Sequence, residues 1–227
     1  ISQQVQKQNP KISAGFVLEG DIFVNQKQYD QATKAYEKAF SLDKNGLIAV
    51  KLHQAHSLAG NLKNADTHML QWLKEQPKDT VSRTYIAQVY MTRGQAKQAI
   101  EQYQILLQGA PGDVVVLNNL AWLYLREKDS RALDMAEQAF KLRPDAAFIA
   151  DTLGWILLEQ GKAARAVELL QKAVSLAPTD LEIGYHYAVA LAKAGDKQKA
   201  RKQLETVLAS GKSFPQQEEA KALLKQW

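Results

Sequence analysis

The stretch DTLGWILLEQGKAARAVELLQKAVSLAPTD, residues 151–180, contains the pattern that decides the fold. Apolar residues recur at helical spacing over residues 147–160, and the same spacing returns over residues 163–176. Gly161, between the two segments, suits the left-handed turn that ends a helix, and Pro178 prevents the second helix from continuing. The stretch therefore predicts two helices joined by a short turn.

This pattern recurs along the chain with a period of 33 or 34 residues. Two unrelated residue types follow the period, which makes a chance match a poor explanation. The recurring residues are the alanines Ala32, Ala65, Ala99, Ala132, Ala166 and Ala200, and the prolines Pro77, Pro111, Pro144 and Pro178. A period of this length predicts an array of helical pairs that stack on one another.

Six repeats are predicted within residues 13–212, with a terminal segment at each end. Residues 1–12, which contain Pro10, are interpreted as the end of a preceding repeat helix, so the chain is expected to be a fragment of a longer protein. Residues 213–227 are predicted to form a capping helix with one apolar face, made of Ala220, Leu223, Leu224 and Trp227. The repeats are predicted at residues 13–45, 46–79, 80–113, 114–146, 147–180 and 181–212.

Gly154 stands in the interior of a predicted helix, where glycine costs about 1 kcal/mol relative to alanine. Small residues occupy the aligned position of other repeats, namely Gly20, Ala87, Ala121 and Ala188. We expect this position to face the second helix of its own pair, because a close approach of two helices would offset the cost. In the second repeat, the bulky His53 and Trp72 fall at positions that are small elsewhere, and this repeat is expected to be the loosest.

The residues at fixed places in each repeat resemble those of the tetratricopeptide repeat family. They are Phe16, Gly20, Phe23, Ala32, Tyr36 and Ala39 in one repeat and Ile86, Ala87, Tyr90, Ala99, Tyr103 and Pro111 in another. This resemblance implies an all-α fold, a right-handed superhelical solenoid of helix-turn-helix repeats with a C-terminal capping helix. It also implies a non-enzymatic scaffold that binds a peptide or protein partner in a concave groove lined by the first helix of each pair.

Residues 113–227 are similar to the C-terminal repeats of tetratricopeptide lipoproteins of bacterial exosortase (PEP-CTERM) sorting and exopolysaccharide systems. The strings that carry the similarity are LNNLAWLYL (117–125), REKDSRAL (126–133), DTLGWILLEQG (151–161) and ASGKSFPQQEEAKALL (209–224). A lipoprotein of this kind would lie in the periplasm or be anchored at the outer membrane. Without that similarity, a cytoplasmic location is expected.

The groove is predicted to be lined by polar and aromatic side chains of the first helices. Trp155 adjoins Gly154 and so points about 100° away from the contact between paired helices. The predicted groove residues are Tyr85, Gln88, Asn118, Asn119, Trp122, Arg126, Asp151, Thr152, Trp155, Tyr185 and His186. In the family, an asparagine at the place of Asn119 bonds the backbone of a bound peptide. The alternative for Trp122 and Trp155, compatible with the first, is packing between adjacent first helices.

A family mode in which lysine, arginine and asparagine clamp a C-terminal carboxylate is not expected here. The corresponding positions hold no ladder of basic residues; they are Val17, Val50, Thr84 and Gln88.

The composition excludes several classes of site. The chain has no cysteine, so disulfides, thiolate metal sites and cysteine nucleophiles are excluded, and no apolar run is long enough to span a membrane. The net charge is +5, but lysine and arginine alternate with acidic residues along the predicted helices. We interpret this pattern as solvated helix faces.

No cofactor, metal or catalytic residue is predicted. His53, His56 and His68 could approach one another, but zinc needs three or four converging ligands and no acidic cluster is evident in the sequence. Buried histidines are the favoured interpretation. No phosphate-binding glycine loop and no G-x-S-x-G motif is present.

Two further function classes remain open. A single-strand nucleic-acid binder would need a basic groove, but the predicted inner wall mixes both charges: Lys51, Arg126, Lys193, Asp21, Asp151 and Glu159. Nucleic acid is therefore not expected as a partner. The chain could also be an accessory module of an enzyme whose catalytic part lies outside this sequence.

Overall fold

The structure, a computed structural model, describes residues 12–226 and is entirely α-helical over that range. The thirteen helices of these residues are α1 (Ala14–Asn25), α2 (Tyr29–Leu42), α3 (Gly46–Leu58), α4 (Leu62–Glu75), α5 (Thr80–Thr92), α6 (Ala96–Gly109), α7 (Val114–Arg126), α8 (Arg131–Leu142), α9 (Ala147–Glu159), α10 (Ala163–Leu176), α11 (Leu181–Lys193), α12 (Lys197–Ala209) and α13 (Gln217–Gln226). Residues 1–11, which make up nearly all of the helix predicted at residues 1–12, and Trp227 lie outside the described residues.

The chain folds into two compact units. The first ends at Gln102 and contains α1 to α5 with the beginning of α6, and the second starts at Tyr103. Within the units, α1 packs on α2, α3 on α4, α7 on α8, α9 on α10 and α11 on α12. Helices of successive pairs also pack on each other, as α2 does on α3 and α10 on α11.

The turns inside the pairs require backbone in the left-handed region. Gly161 has a φ of +76°, as the sequence predicted, and glycines 60, 94 and 195 adopt the same region. Two turns use a lysine instead: Lys27 has a φ of +59° and Lys128 a φ of +56°. Residues with a Cβ atom are disfavoured in this region. The turns at Lys27 and Lys128 therefore depart from the glycine pattern of the other turns.

Gly154 lies at a close contact between α9 and α10. A Cβ atom added at Gly154 would lie 2.7 Å from Cγ of Leu170 and 3.4 Å from the carbonyl oxygen of Ala166, both on α10. At Gly20, an added Cβ would overlap the ring of Tyr36. The predicted contact between the helices of a pair is confirmed, and tight packing offsets the helix cost of Gly154.

His53 and Trp72, the two bulky residues of the second repeat, both have hydrogen-bond partners for their ring nitrogens. His53 lies between Tyr85 and Asp66: its Nδ1 is 2.8 Å from the Tyr85 hydroxyl and its Nε2 is 3.0 Å from Asp66 Oδ1. The Trp72 indole donates to Asp79 Oδ2 at 2.7 Å. Both side chains are buried. The expectation that this repeat is the loosest stays a prediction.

The last helix, α13, covers the apolar end of the second unit. Ala220 is fully buried in a cluster with Tyr185, Ala188 and Leu204, and the partly buried Leu223 and Leu224 pack against that cluster. These contacts match the apolar face that the sequence predicted for the cap. Over residues 12–226, no helix is long and apolar enough to cross a lipid bilayer.

Candidate functional site

Trp122 and Trp155 line the same open cleft of about 650 Å³ in the second unit. Trp122 lies on α7 and Trp155 one repeat later on α9, so the 33-residue period brings the two half-buried indoles to one place. We call this the tryptophan cleft; it is lined by Trp122, Leu125, Arg126, Lys128, Asp129, Ser130, Ala132, Trp155, Glu159 and Gln160. The turn residues 128–130 were not predicted as site residues.

One side of Trp155 is used for packing. Its ring lies over the imidazole of His186 on α11, with centroids 4.2 Å apart and planes tilted by 32°. The alternative interpretation of Trp155 as a contact between adjacent first helices is therefore correct, and the same side chain still lines the tryptophan cleft.

Asp151 and His186 form a buried pair beneath Trp155. His186 Nδ1 lies 2.8 Å and 3.0 Å from the two carboxylate oxygens of Asp151, and their exposed fractions are 2% and 9%. Burial raises the pKa of the Asp151 carboxyl, while the bond from His186 opposes that rise. The pair joins α9 to α11.

Four of the predicted groove residues are buried, and their assignment to an accessible groove wall is wrong. They are Asp151, Thr152, Tyr185 and His186. The reason is that α9 and α11 pack directly on each other, so residues at the shared face contact the next helix. Tyr185 is covered further by the end of the chain, since its ring lies 6.3 Å from that of Phe214.

Asn118 and Asn119 are half-buried on α7. Asn119 Nδ2 donates to the hydroxyl of Tyr103 at 3.0 Å, so the amide expected to bind a peptide backbone already has a partner within the unit. Asn118 Oδ1 is buried and has no hydrogen-bond partner among the described residues. Neither side chain lines the tryptophan cleft.

Tyr85 and Gln88 belong to the first unit, on α5. Gln88 is exposed, and Tyr85 lines a separate cleft of about 590 Å³ together with Asp21, Lys51 and Arg93. Burial raises the pKa of Tyr85 to about 12, so its hydroxyl stays protonated, and it lies 2.8 Å from His53 Nδ1. The Asp66 oxygen accepts, so in the neutral imidazole Nε2 carries the proton and donates to Asp66, and Nδ1 accepts from the Tyr85 hydroxyl.

The charges at the tryptophan cleft are unevenly compensated. Asp129 is bonded by Arg131 at 2.7 Å and 3.0 Å, and these bonds lower the pKa of the Asp129 carboxyl to about 2. Glu159 is 3.4 Å from Lys193. Within residues 12–226, Arg126 and Lys128 make no ion pair, so the lip of the cleft carries uncompensated positive charge.

Cations predicted for the inner wall are partly neutralised. Lys51 Nζ lies 2.6 Å from Asp21 Oδ1 in the first unit, and Lys193 pairs with Glu159 in the second. Both pairs link first helices of successive repeats. Two of the three basic residues predicted for the inner wall are therefore paired with a carboxylate of their own unit.

The interpretation of the histidines needs one correction. His53 and His56 are buried, as predicted. However, the sequence indicated no acidic cluster that could complete a site with them, whereas Glu37 on α2 reaches His56 on α3, with 3.7 Å between Oε1 and Nε2. No sequence signal pointed to Glu37, because it lies 19 residues before His56 and on the preceding helical pair.

We expect the stability of the fold to decrease as the pH falls below about 6.5, the ordinary pKa of histidine. Burial lowers the pKa of His53 in the folded chain, although the bond to Asp66 opposes this effect. The unfolded chain then binds a proton that the folded chain does not, which costs at most about 1.4 kcal/mol per pH unit.

Urea unfolding at pH 7.5 and pH 5.5 measures this loss of stability. In a His53→Asn variant the loss between the two pH values should be smaller than in the parent chain. An identical loss in both proteins would contradict the assignment to His53.

Comparison with known proteins identifies the repeats. Three models described as tetratricopeptide repeat match residues 15–45, 130–180 and 157–226, which together include more than half of the chain. The chain therefore contains tetratricopeptide repeats, and its fold is the all-α fold of that repeat. A tetratricopeptide repeat protein of known structure from Parabacteroides merdae is similar, with a TM-score of 0.73 at 16% identity over 89% of this chain and 80% of that one.

Three relatives indicate the range of proteins that share these repeats. A tetratricopeptide repeat-containing protein of Pseudomonas aeruginosa is 28% identical over 73% of this chain. The human mitochondrial import receptor subunit Tom70 is 23% identical over 57%, and cellulose synthase operon protein C of Pseudomonas fluorescens is 30% identical over 46%. This chain spans 29%, 22% and 8% of the lengths of these relatives, respectively.

Proposed function

We propose that this chain is a non-enzymatic scaffold that binds a segment of a peptide or protein partner in the tryptophan cleft. Tetratricopeptide repeats are generally protein-interaction scaffolds, and the relative Tom70 is an import receptor subunit. The observation that carries the proposal is the presence of two half-buried indoles and two unpaired cations in one open cleft. Aromatic and arginine side chains are enriched at protein interfaces and among the residues that contribute most to binding.

The chemistry of the cleft suggests which segment it would accept. An apolar or aromatic side chain of the partner would pack between Trp122 and Trp155, where it removes apolar surface from water. An acidic side chain close to it would face Arg126 and Lys128, and the planar guanidinium favours a carboxylate partner. We therefore infer a preference for segments that combine an apolar anchor with a nearby acidic residue.

The paired charges of the inner wall favour a peptide over a single-stranded nucleic acid. Recognition of a nucleic-acid strand depends on many phosphate contacts, and its affinity falls steeply with salt. Lys51 and Lys193 are each bonded to a carboxylate of their own unit. Binding of the true partner is accordingly expected to weaken only moderately when the salt concentration is raised.

Display of a random peptide library on the purified chain tests the proposal. Selected peptides should share an apolar residue with an acidic residue nearby, and their binding should be lost in a Trp122→Ala variant. Enrichment of peptides without such a motif, or equal binding to the variant, would place recognition elsewhere. A parallel titration with a random single-stranded oligonucleotide should give no saturable binding at physiological salt.

For the cellular setting, we propose the bacterial envelope, in a protein-sorting or exopolysaccharide system. The support is the similarity of residues 113–227 to lipoproteins of such systems and the relative named cellulose synthase operon protein C. Affinity purification from the envelope fraction of the source cells, using Trp122→Ala as the control bait, tests this setting. Proteins of polysaccharide export or sorting should be retained by the parent bait alone, whereas retention of only cytoplasmic proteins would contradict it.

A further inference from the structure

Three side chains with metal-binding atoms converge in the first unit, away from the tryptophan cleft. Glu37 lies on α2, His56 on α3 and His68 on α4, and one ligand atom of each lies within 4.8 Å of the others. The imidazoles of His56 and His68 are nearly parallel, with planes 9° apart and centroids separated by 5.3 Å. Glu37 Oε1 is 3.7 Å from His56 Nε2.

The ring nitrogens of His56, Nδ1 and Nε2, form no hydrogen bond with the described residues. The residue is 5% exposed, and both nitrogen atoms are buried. Buried polar side-chain atoms are nearly always bonded, so two unpartnered nitrogens on one ring require an explanation. The other buried histidines differ in this respect, since His53 and His186 are both bonded to carboxylates.

We propose that Glu37, His56 and His68 bind a divalent transition-metal ion, Zn²⁺ being the best fit. Two imidazole nitrogens and one carboxylate oxygen form a ligand set that zinc accepts, with a fourth position left for water. Tetrahedral ligands at about 2.0–2.2 Å from zinc lie about 3.4 Å from one another, close to the 3.7 Å between Glu37 and His56. Because Glu37 and His68 are exposed, the ion can enter from solvent and small rotations of these side chains can complete the site.

The ligand chemistry also indicates which ions would be rejected. Imidazole nitrogen suits Zn²⁺, Cu²⁺, Ni²⁺ and Co²⁺, whereas Mg²⁺ and Ca²⁺ require sets dominated by oxygen. Burial lowers the pKa of His56, which agrees with a neutral ring whose lone pair is available at neutral pH. One of the two buried nitrogens of His56 then gains a partner that the protein alone does not supply.

An ion at this place would connect the first helical pair to the second. Glu37 comes from α2, the second helix of its pair, while His56 and His68 come from α3 and α4 of the next pair. An ion that binds the folded chain alone stabilises it by mass action. Zinc is thus expected to raise the melting temperature of the chain.

The experiment uses the untagged 227-residue chain, freed of metal with EDTA and dialysed, because a polyhistidine tag would bind zinc itself. Calorimetric titration with zinc chloride should show one ion bound per chain, and Co²⁺ should give the visible absorption of a tetrahedral site. Glu37→Gln and His68→Asn should each weaken zinc binding by about tenfold or more, by analogy with the loss seen when even outer partners of a metal site are removed. Both positions are exposed, so both variants are expected to keep the fold, which circular dichroism checks.

Glu168→Gln is the matched control, because it removes the same charge from an exposed position on α10 in the other unit. Its zinc affinity should equal that of the parent chain. The proposal is overturned if the parent chain binds no zinc, if Glu37→Gln and His68→Asn bind as tightly as the parent, or if magnesium gives the same signal as zinc.

Discussion

Replacing Gly154 with leucine is expected to reduce the free energy of unfolding by about 2 kcal/mol. A Cβ atom alone would already lie 2.7 Å from Cγ of Leu170, which is closer than carbon atoms pack, and leucine adds three more carbons. The interface between α9 and its partner α10 has no space for these atoms. The better helix propensity of leucine recovers only about 0.8 kcal/mol of this cost.

Urea unfolding followed by circular dichroism measures the effect of the Gly154 substitution. Gly112→Leu is the matched control, because no atom lies within 4 Å of a Cβ added at Gly112 and its backbone is outside the left-handed region. The control should unfold close to the parent midpoint. Equal midpoints for Gly154→Leu and the parent would show that α9 and α10 are not in close contact at this residue.

Replacing Asp151 with alanine is expected to cost about 2 kcal/mol or more. The substitution removes the carboxylate that accepts from His186 and leaves that ring buried without a partner. Because Trp155 lies over the same ring, its environment should change as well, and its fluorescence should report the loss.

Two controls separate the buried pair from a general effect of charge. Asp151→Asn keeps an oxygen that can accept from His186 and should lose less stability than Asp151→Ala. Glu159→Ala breaks an ion pair in which both side chains are about half exposed, and such pairs contribute about 0.5 kcal/mol. If Asp151→Ala were no more destabilising than Glu159→Ala, the buried pair would not be a stabilising contact.

The repeats could be predicted from the sequence because the same residue types recur at the same places in each of them. Gly161 ends one helix, Pro178 ends the next, and the small residue at Gly154 marks the contact inside the pair. These 30 residues, 151–180, therefore define one helical pair, and the period of 33 or 34 residues indicates that the pair is repeated along the chain. These signals depend on neighbours within one pair. They require no knowledge of how the pairs stack.

The accessible surface could not be predicted in the same way, because it depends on what the next pair covers. Asp151 and His186 are 35 residues apart, and only the packing of α9 on α11 shows that they bury each other. Periodicity correctly brought Trp122 and Trp155 together, since both recur at the same position of successive repeats. Asn119 illustrates the limit: its resemblance to a ligand-binding asparagine did not reveal the bond to Tyr103.

Glu37 shows the same limit for the candidate metal site. The histidines were visible in the sequence, but the acid that completes the set lies on the helix before them and comes close only after two pairs have stacked. Contacts between pairs are therefore the part of this fold that the sequence pattern leaves open.

The affinity of a selected peptide for two alanine variants tests the central claim most directly. The peptide is chosen on the parent chain, and its dissociation constant is measured by calorimetry for Trp122→Ala and for Phe148→Ala. Phe148 is an exposed aromatic residue of α9 that does not line the tryptophan cleft. We expect Trp122→Ala to weaken binding about thirtyfold, which corresponds to about 2 kcal/mol, and Phe148→Ala to leave it unchanged. Unchanged affinity in a folded Trp122→Ala variant, or an equal loss in Phe148→Ala, would contradict the assignment of the tryptophan cleft as the binding site.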